Sequence, residues 1–208
     1  MLFLSASLDA AGSFDNYVGL NLIYNQAELI EPESDSQGLG ADLFYQSYVR
    51  PNFSYSILFG FLYNFFSNDF QEQIFYPTSG TMNLDYTRED RFYHFSMGLL
   101  FNYSRLYGAF RPFISLGTLG TFIYKTYHYT YRTSPGDFIE TEKKSWWLPT
   151  TLFIPISLGV QYFLDQKNLI QFCFSYHIPL WDKTVENYGY TNILCLKLGY
   201  LRSISFKL

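Results

Sequence analysis

The sequence predicts an all-β protein, an eight-stranded antiparallel up-and-down transmembrane β-barrel, and three observations carry that prediction. The first is the stretch YSILFGFLYNFF at residues 55–66. At period two, Tyr55, Ile57, Phe59, Phe61, Tyr63 and Phe65 share one face, and Ser56, Leu58, Gly60, Leu62 and Asn64 share the other. A helix of 3.6 residues per turn would mix these sets. A strand tilted across a bilayer needs about 9–11 residues, an apolar outer face ending in aromatic girdles, and smaller or polar groups inward. The second is composition: 22 Phe and 20 Tyr with only 15% charged residues suit strands that face lipid better than a water-soluble sandwich. The third is that seven further segments repeat this alternation, separated by connections that are long, then short, in turn.

The segments justify themselves in order. Residues 16–26 set Val18, Leu20, Leu22 and Tyr24 against Tyr17, Gly19, Asn21, Ile23 and Asn25, and the acidic run EPESDSQG follows as a loop. Residues 39–50 put Ala41, Leu43, Tyr45 and Val49 outward and Asp42, Gln46 and Arg50 inward, and Pro51-Asn52 turns the chain into the 55–66 strand. Residues 67–90, with Pro77, Gly80 and several charges, read as a long loop. Residues 92–103 alternate Tyr93, Phe95, Met97, Leu99 and Phe101 with His94, Ser96, Gly98 and Asn102.

After a short connection at 104–109, residues 111–126 set Ile114, Leu116, Phe122 and Tyr124 against Ser115, Gly117, Thr121 and Lys125. HYTYRTSPGDFIETEKKS reads as a second long polar loop. Residues 148–164 carry Leu152, Ile154, Ile156, Leu158, Val160 and Tyr162 outward, with Pro155 predicting a nearby bulge because it cannot donate to a ladder. A tight turn at 165–168 leads to residues 169–180, where Ile170, Phe172, Phe174, Tyr176 and Ile178 oppose Gln171, Cys173, Ser175 and His177. A loop at 181–190 precedes the last strand. There Leu194, Leu196, Leu198 and Tyr200 lie outward and Cys195, Lys197 and Gly199 inward; Arg202 keeps the outward phase, as a snorkelling residue or as a sign that the strand begins later.

An even strand number with short turns at one end and long loops at the other is the topology of a bacterial outer-membrane barrel, with both termini on the periplasmic side. Residues 16–208 form the predicted barrel. Residues 1–15, MLFLSASLDAAGSFD, lack a basic n-region and are read as a leader or N-terminal segment, with the clipped tail of a signal peptide and a disordered leader both open. No run of 18 apolar residues offers a transmembrane helix, and the net charge of −4 gives no reason to expect nucleic acid.

From residue 16 onward the chain resembles the small eight-stranded outer-membrane proteins of the OmpA transmembrane-domain and OmpX type, on its architecture and on pieces such as RPFISLGTLGTF (111–122) and LCLKLGY (194–200). The resemblance implies a Gram-negative cell-envelope protein. Members of that group usually end in an aromatic residue, and here Phe206 stands two positions before the final Leu208.

Eight strands enclose a lumen that side chains just fill. Asp42, Gln46, Arg50, Lys125, Gln171, His177 and Lys197 are therefore the candidate polar plug, with Asp42 pairing Arg50, Lys197 or Lys125. His94-Phe95-Ser96 resembles the His-x-Ser spacing of an outer-membrane lipid deacylase, but both side chains would point into the lumen with no carboxylate beside them. They are weak catalytic candidates, as are His128, Ser134 and Asp137 for acyl transfer. Cys173 and Cys195 would face each other on adjacent strands if their hairpin centres near residue 184, so a disulfide and two buried thiols both stand open. No His or Cys cluster supports a metal, and no cofactor is expected. The long loops hold 14 of the 18 acidic residues, interleaved with Phe70, Phe75, Tyr76, Tyr86, Tyr129 and Tyr131, candidates for contacting a partner. The expected function is a non-enzymatic structural or interaction protein with a plugged lumen, in contact with outer-membrane lipid, lipopolysaccharide or another surface protein, as in an accessory subunit of an outer-membrane complex. A lipid A deacylase or acyltransferase is the alternative, and a narrow channel the third reading.

Overall fold

A computed structural model describes residues 16–29, 34–76, 80–133, 139–148, 150–180 and 190–204. They form nine strands: β1 (Asn16–Leu29), β2 (Ser34–Arg50), β3 (Phe53–Tyr76), β4 (Gly80–Ser104), β5 (Phe110–Thr133), β6 (Ile139–Trp147), β7 (Thr151–Phe163), β8 (Asn168–Pro179) and β9 (Tyr190–Ile204). Each pairs antiparallel with its neighbours, and β9 returns to β1, so the sheet closes. Closure leaves the barrel without an open edge, which a bilayer would not tolerate.

The barrel has eight staves because β6 and β7 share one. The outer half of β5 pairs with β6 (Tyr124↔Trp147) and its inner half with β7 (Thr121↔Thr151). The chain spends one more residue between Trp147 and Thr151 than β5 spends between Thr121 and Tyr124, which is the signature of a bulge. The bulge expected at Pro155 therefore lies elsewhere. Pro155 pairs with His177 of β8, and on its other side the ladder to β5 lapses between Leu116↔Ile156 and Leu119↔Phe153 without a change of register.

The two largest predicted loops are strands. β3 and β4 pair without a break from Phe53↔Tyr103 to Tyr76↔Gly80, and β5 pairs with β6 out to Arg132↔Ile139. Residues 67–76 and 80–90 thus form a hairpin, and with the outer half of β5 and with β6 they make a four-stranded extension beyond the barrel. The opposite end has only tight turns: Pro51-Asn52, residues 105–109 and residues 164–167. In the middle one, Gly108 takes a left-handed φ of 60°, which an L side chain rarely adopts, and lets Tyr107 and Phe110 exchange both backbone hydrogen bonds. The predicted leader at 1–15 and the loop at 181–189 lie outside the described residues.

Candidate functional site

The alternation sorts side chains as membrane physics requires. Leu22, Leu39, Phe59, Met97, Phe101, Leu116, Phe122, Leu158, Phe172 and Leu198 are exposed on the outer wall. Aromatic rows bound this apolar band. At the extension end, Tyr63, Tyr93, Tyr124 and Trp147 form one register row across β3, β4, β5 and β6, with ring centroids 5.3, 6.2 and 5.0 Å apart. At the turn end, Phe53 meets Tyr103 (5.1 Å) and Phe110 meets Tyr162 (4.9 Å). Arg202 is exposed in the outward phase near that end, next to the hydrogen bond from the Tyr200 hydroxyl to Asn168.

Inside, the polar side chains form a connected network. Asp42 accepts hydrogen bonds from Asn21 Nδ2 (2.6 Å) and Lys197 Nζ (2.9 Å). Gln171 links Asn21 to Gln161, whose amide donates to Gln171 (2.9 Å) and Gln46 (3.1 Å). Gln46 in turn donates to Ser54 (2.8 Å), and Asn102 donates to Ser54 and Ser56. At the turn end, Arg111 lies over the rings of Tyr48 and Phe163, 4.6 and 5.0 Å from their centroids. Asp42 and Lys197 line two cavities of about 30 Å³ among the described residues, each large enough for a water.

Of the predicted lumen residues, Asp42, Gln46, Gln171, His177 and Lys197 are buried in this interior. Arg50 is not: the register between β2 and β3 shifts between Tyr48 and Arg50, which turns the side chain out to an exposed position. Lys125 is buried but serves a different carboxylate, Asp90, at the extension end of the lumen (3.0 Å). Asp90 also binds Arg88 through Nη2 (2.6 Å) and Nε (3.1 Å), while Lys125 sits 4.8 Å from the Phe92 ring centroid and Arg88 5.6 Å from that of Tyr129. Sequence reasoning missed Asp90 because it assigned 67–90 to a loop; its same-phase neighbours Phe92 and Arg88 were the available signal.

His94 and Ser96 lie on the same inward phase of β4, with Ser96 Oγ 3.1 Å from Thr121 Oγ1. His177 Nε2 lies 3.0 Å from Ser175 Oγ. Neither of these two hydrogen bonds involves a carboxylate. His128 lies in the outward phase of β5, and Ser134 and Asp137 lie outside the described residues. Cys173 pairs in register with Lys197, and Cys195 with Ser175, so the hairpin is offset by one pair from the centre that would oppose the thiols; both are free and buried. Among the described residues, no group of three or more His, Cys, Asp or Glu could hold a metal.

The extension inverts the barrel's pattern. Along β4 the lipid-side face reads Tyr93, Phe95, Met97, Leu99 and Phe101 within the barrel, then Thr87, Glu89 and Arg91 beyond it. Of the predicted partner-contacting aromatics, Tyr129 of β5 shares the lumen-side phase with Tyr127, and the side chains of Phe70, Phe75, Tyr76, Tyr86 and Tyr131 lie outside the described residues. Outside the membrane, Asp165 in the β7–β8 turn accepts hydrogen bonds from Asn168 Nδ2 (2.7 Å) and from the backbone amides of Lys167 and Asn168. These hold its carboxyl below the usual range. Lys144 of β6 is raised by its hydrogen bond to Glu142.

No family model matches the chain, and no curated protein matches it. Among solved structures it is similar to the Neisserial surface protein A, with a TM-score of 0.56 and 9% identity over 91% of this chain and 97% of that one. Weaker likenesses are to Ail of Yersinia pestis (TM-score 0.44, 11% identity, 93% and 100% covered) and the N-terminal barrel domain of Pseudomonas aeruginosa OprF (0.43, 11%, 92% and 100%). The chain therefore has the fold of the small eight-stranded outer-membrane β-barrels.

Proposed function

We propose that the protein resides in the bacterial outer membrane with both termini in the periplasm, keeps its lumen plugged, and acts non-enzymatically as a structural or interaction protein through the extension. The observation that carries this reading is the hydrogen-bonded lumen, in which the Asp42–Lys197 pair lines two cavities of only about 30 Å³ each. A file of water or ions needs a continuous path, and side chains that hydrogen-bond across the lumen interrupt one. The turn end, with its short connections and the β1 and β9 termini, matches the periplasmic side of such barrels. The outer wall contacts lipid, and the aromatic row at the extension end lies where lipopolysaccharide headgroups would be.

Planar-bilayer recording of the purified, heat-modifiable protein tests the plug, and the expected result is no conductance steps. Steady conductance that changes on Asp42→Ala would replace this reading with a narrow channel. Mass spectrometry of lipid A from cells with and without the protein tests the other alternative. An altered mass that reverts with His94→Ala or Ser96→Ala would make it a lipid-modifying enzyme.

A further inference from the structure

Among the described residues the extension ends in two unpaired edges. β2 pairs with β3 no farther than Gln37↔Phe65, so among the described residues 66–76 of β3 have one strand neighbour, β4; β6 likewise pairs only with β5. Neither edge is blunted by a proline, and the β3–β4 and β5–β6 registers run without a shift. Unpaired edges of about ten residues are templates for another strand.

Two properties identify the strand that fits. The extension has four strands, an even number, so its end strands run in opposite directions. Two copies inserted in the same orientation can continue the antiparallel sheet only by setting the β3 edge of one beside the β6 edge of the other; like edges would meet parallel, the weaker ladder. The edge strands also differ in charge. Residues 66–76 of β3 carry Asp69 and Glu72 and no basic group, whereas β6 carries Lys143 and Lys144, both exposed, beside Glu140 and Glu142. Two β3 edges repel one another, and the exposed lysines of β6 are the cationic groups on the other edge that the β3 acids can meet.

We propose that copies of this chain associate side by side in the membrane, head to tail, by pairing the β3 edge of one extension with the β6 edge of the next. Such an interface is heterologous and yields rings or open rows rather than closed dimers. The proposal rests on the reading of the extension as standing outside the bilayer. It specifies a second copy as the first partner of the interaction protein proposed above.

The test uses the full chain with Cys173→Ser and Cys195→Ser, reconstituted in lipid vesicles and treated with a short bismaleimide. Gln71→Cys on the β3 edge and Ser145→Cys on the β6 edge, which keeps both lysines, supply the reactive sites. Mixing the two single-cysteine proteins is expected to give a cross-linked dimer, and placing both cysteines in one chain a ladder of higher species. Each single variant alone should give several-fold less dimer. In the mixture, Lys144→Glu on the β6-edge copy should lower the yield, and Asp69→Lys with Glu72→Lys on the β3-edge copy should restore it. Equal dimer from either single variant alone, or none from the mixture while the protein still shows heat-modifiable mobility, would overturn the proposal. Loss of heat-modifiable mobility in the parent protein would instead overturn the membrane reading beneath it.

Discussion

Within one strand, β4, the same chain solves two different solvent problems. From Tyr93 to Tyr103 its odd residues are apolar and its even residues include His94, Ser96 and Asn102; from Thr81 to Arg91 the odd residues are polar and the even ones include Met82, Leu84 and Tyr86. The backbone continues unbroken through the change. Polarity thus reports the solvent on each side of a sheet rather than the presence of a strand. The inversion falls at the Tyr63–Tyr93–Tyr124–Trp147 row, where amphipathic rings would meet the headgroups of a bilayer.

The comparison can be broken first from inside the barrel. Asp42→Ala leaves the Lys197 ammonium buried without its carboxylate, and breaking such a pair costs about 3–5 kcal/mol. Urea unfolding of the vesicle-inserted protein should show this loss, and the double change Asp42→Ala with Lys197→Met should recover much of it. A loss below about 1 kcal/mol would mean that water reaches the pair.

The next effect contrasts the two regions directly. Met97→Arg places a cation on the lipid face and should cost about 2–4 kcal/mol, whereas Thr87→Arg, in the same phase of β4 but beyond the row, should stay within about 0.5 kcal/mol. Equal costs would erase the boundary. Gly199→Ala should come next. A Cβ there would collide with the Asn21 side chain, one of the two donors to Asp42, so refolding should lose roughly 1–3 kcal/mol through strain in the lumen.

The smallest effect lies in the β7–β8 turn. Asp165 has a folded pKa below its unfolded value, so its contribution is fully present above the unfolded value near 3.8 and is lost as pH falls through the folded one. Asp165→Asn should therefore be less stable than the parent at neutral pH and converge with it in acid, in a pH series of unfolding midpoints.

The barrel was legible in the sequence because lipid on one side and a narrow lumen on the other impose strict alternation. Strands such as 92–103 show it residue by residue. The extension was not, because reading for apolar residues in the outward phase fails where the outward side meets water; Asp69, Asp85 and Glu89 then look like loop charges. Irregularities of register were equally hidden. One shift beside Tyr48 removed Arg50 from the interior, and an offset of one pair moved Cys173 from Cys195 to Lys197. Asp90 shows the cost of both: a buried acid with two cationic partners falls in a segment whose strand character only pairing with β3 and β5 reveals.

The most direct measurement is a spin-label scan along β4 from residue 81 to residue 103 in lipid vesicles, reading collisions with oxygen and with a water-soluble nickel relaxer. Odd positions from 93 to 101 should favour oxygen, and odd positions from 81 to 89 should favour nickel, with the change between residues 91 and 93. Oxygen preference continuing in the odd phase out to residue 81, or no period-two pattern at all, would contradict the boundary and with it the division into membrane barrel and external sheet.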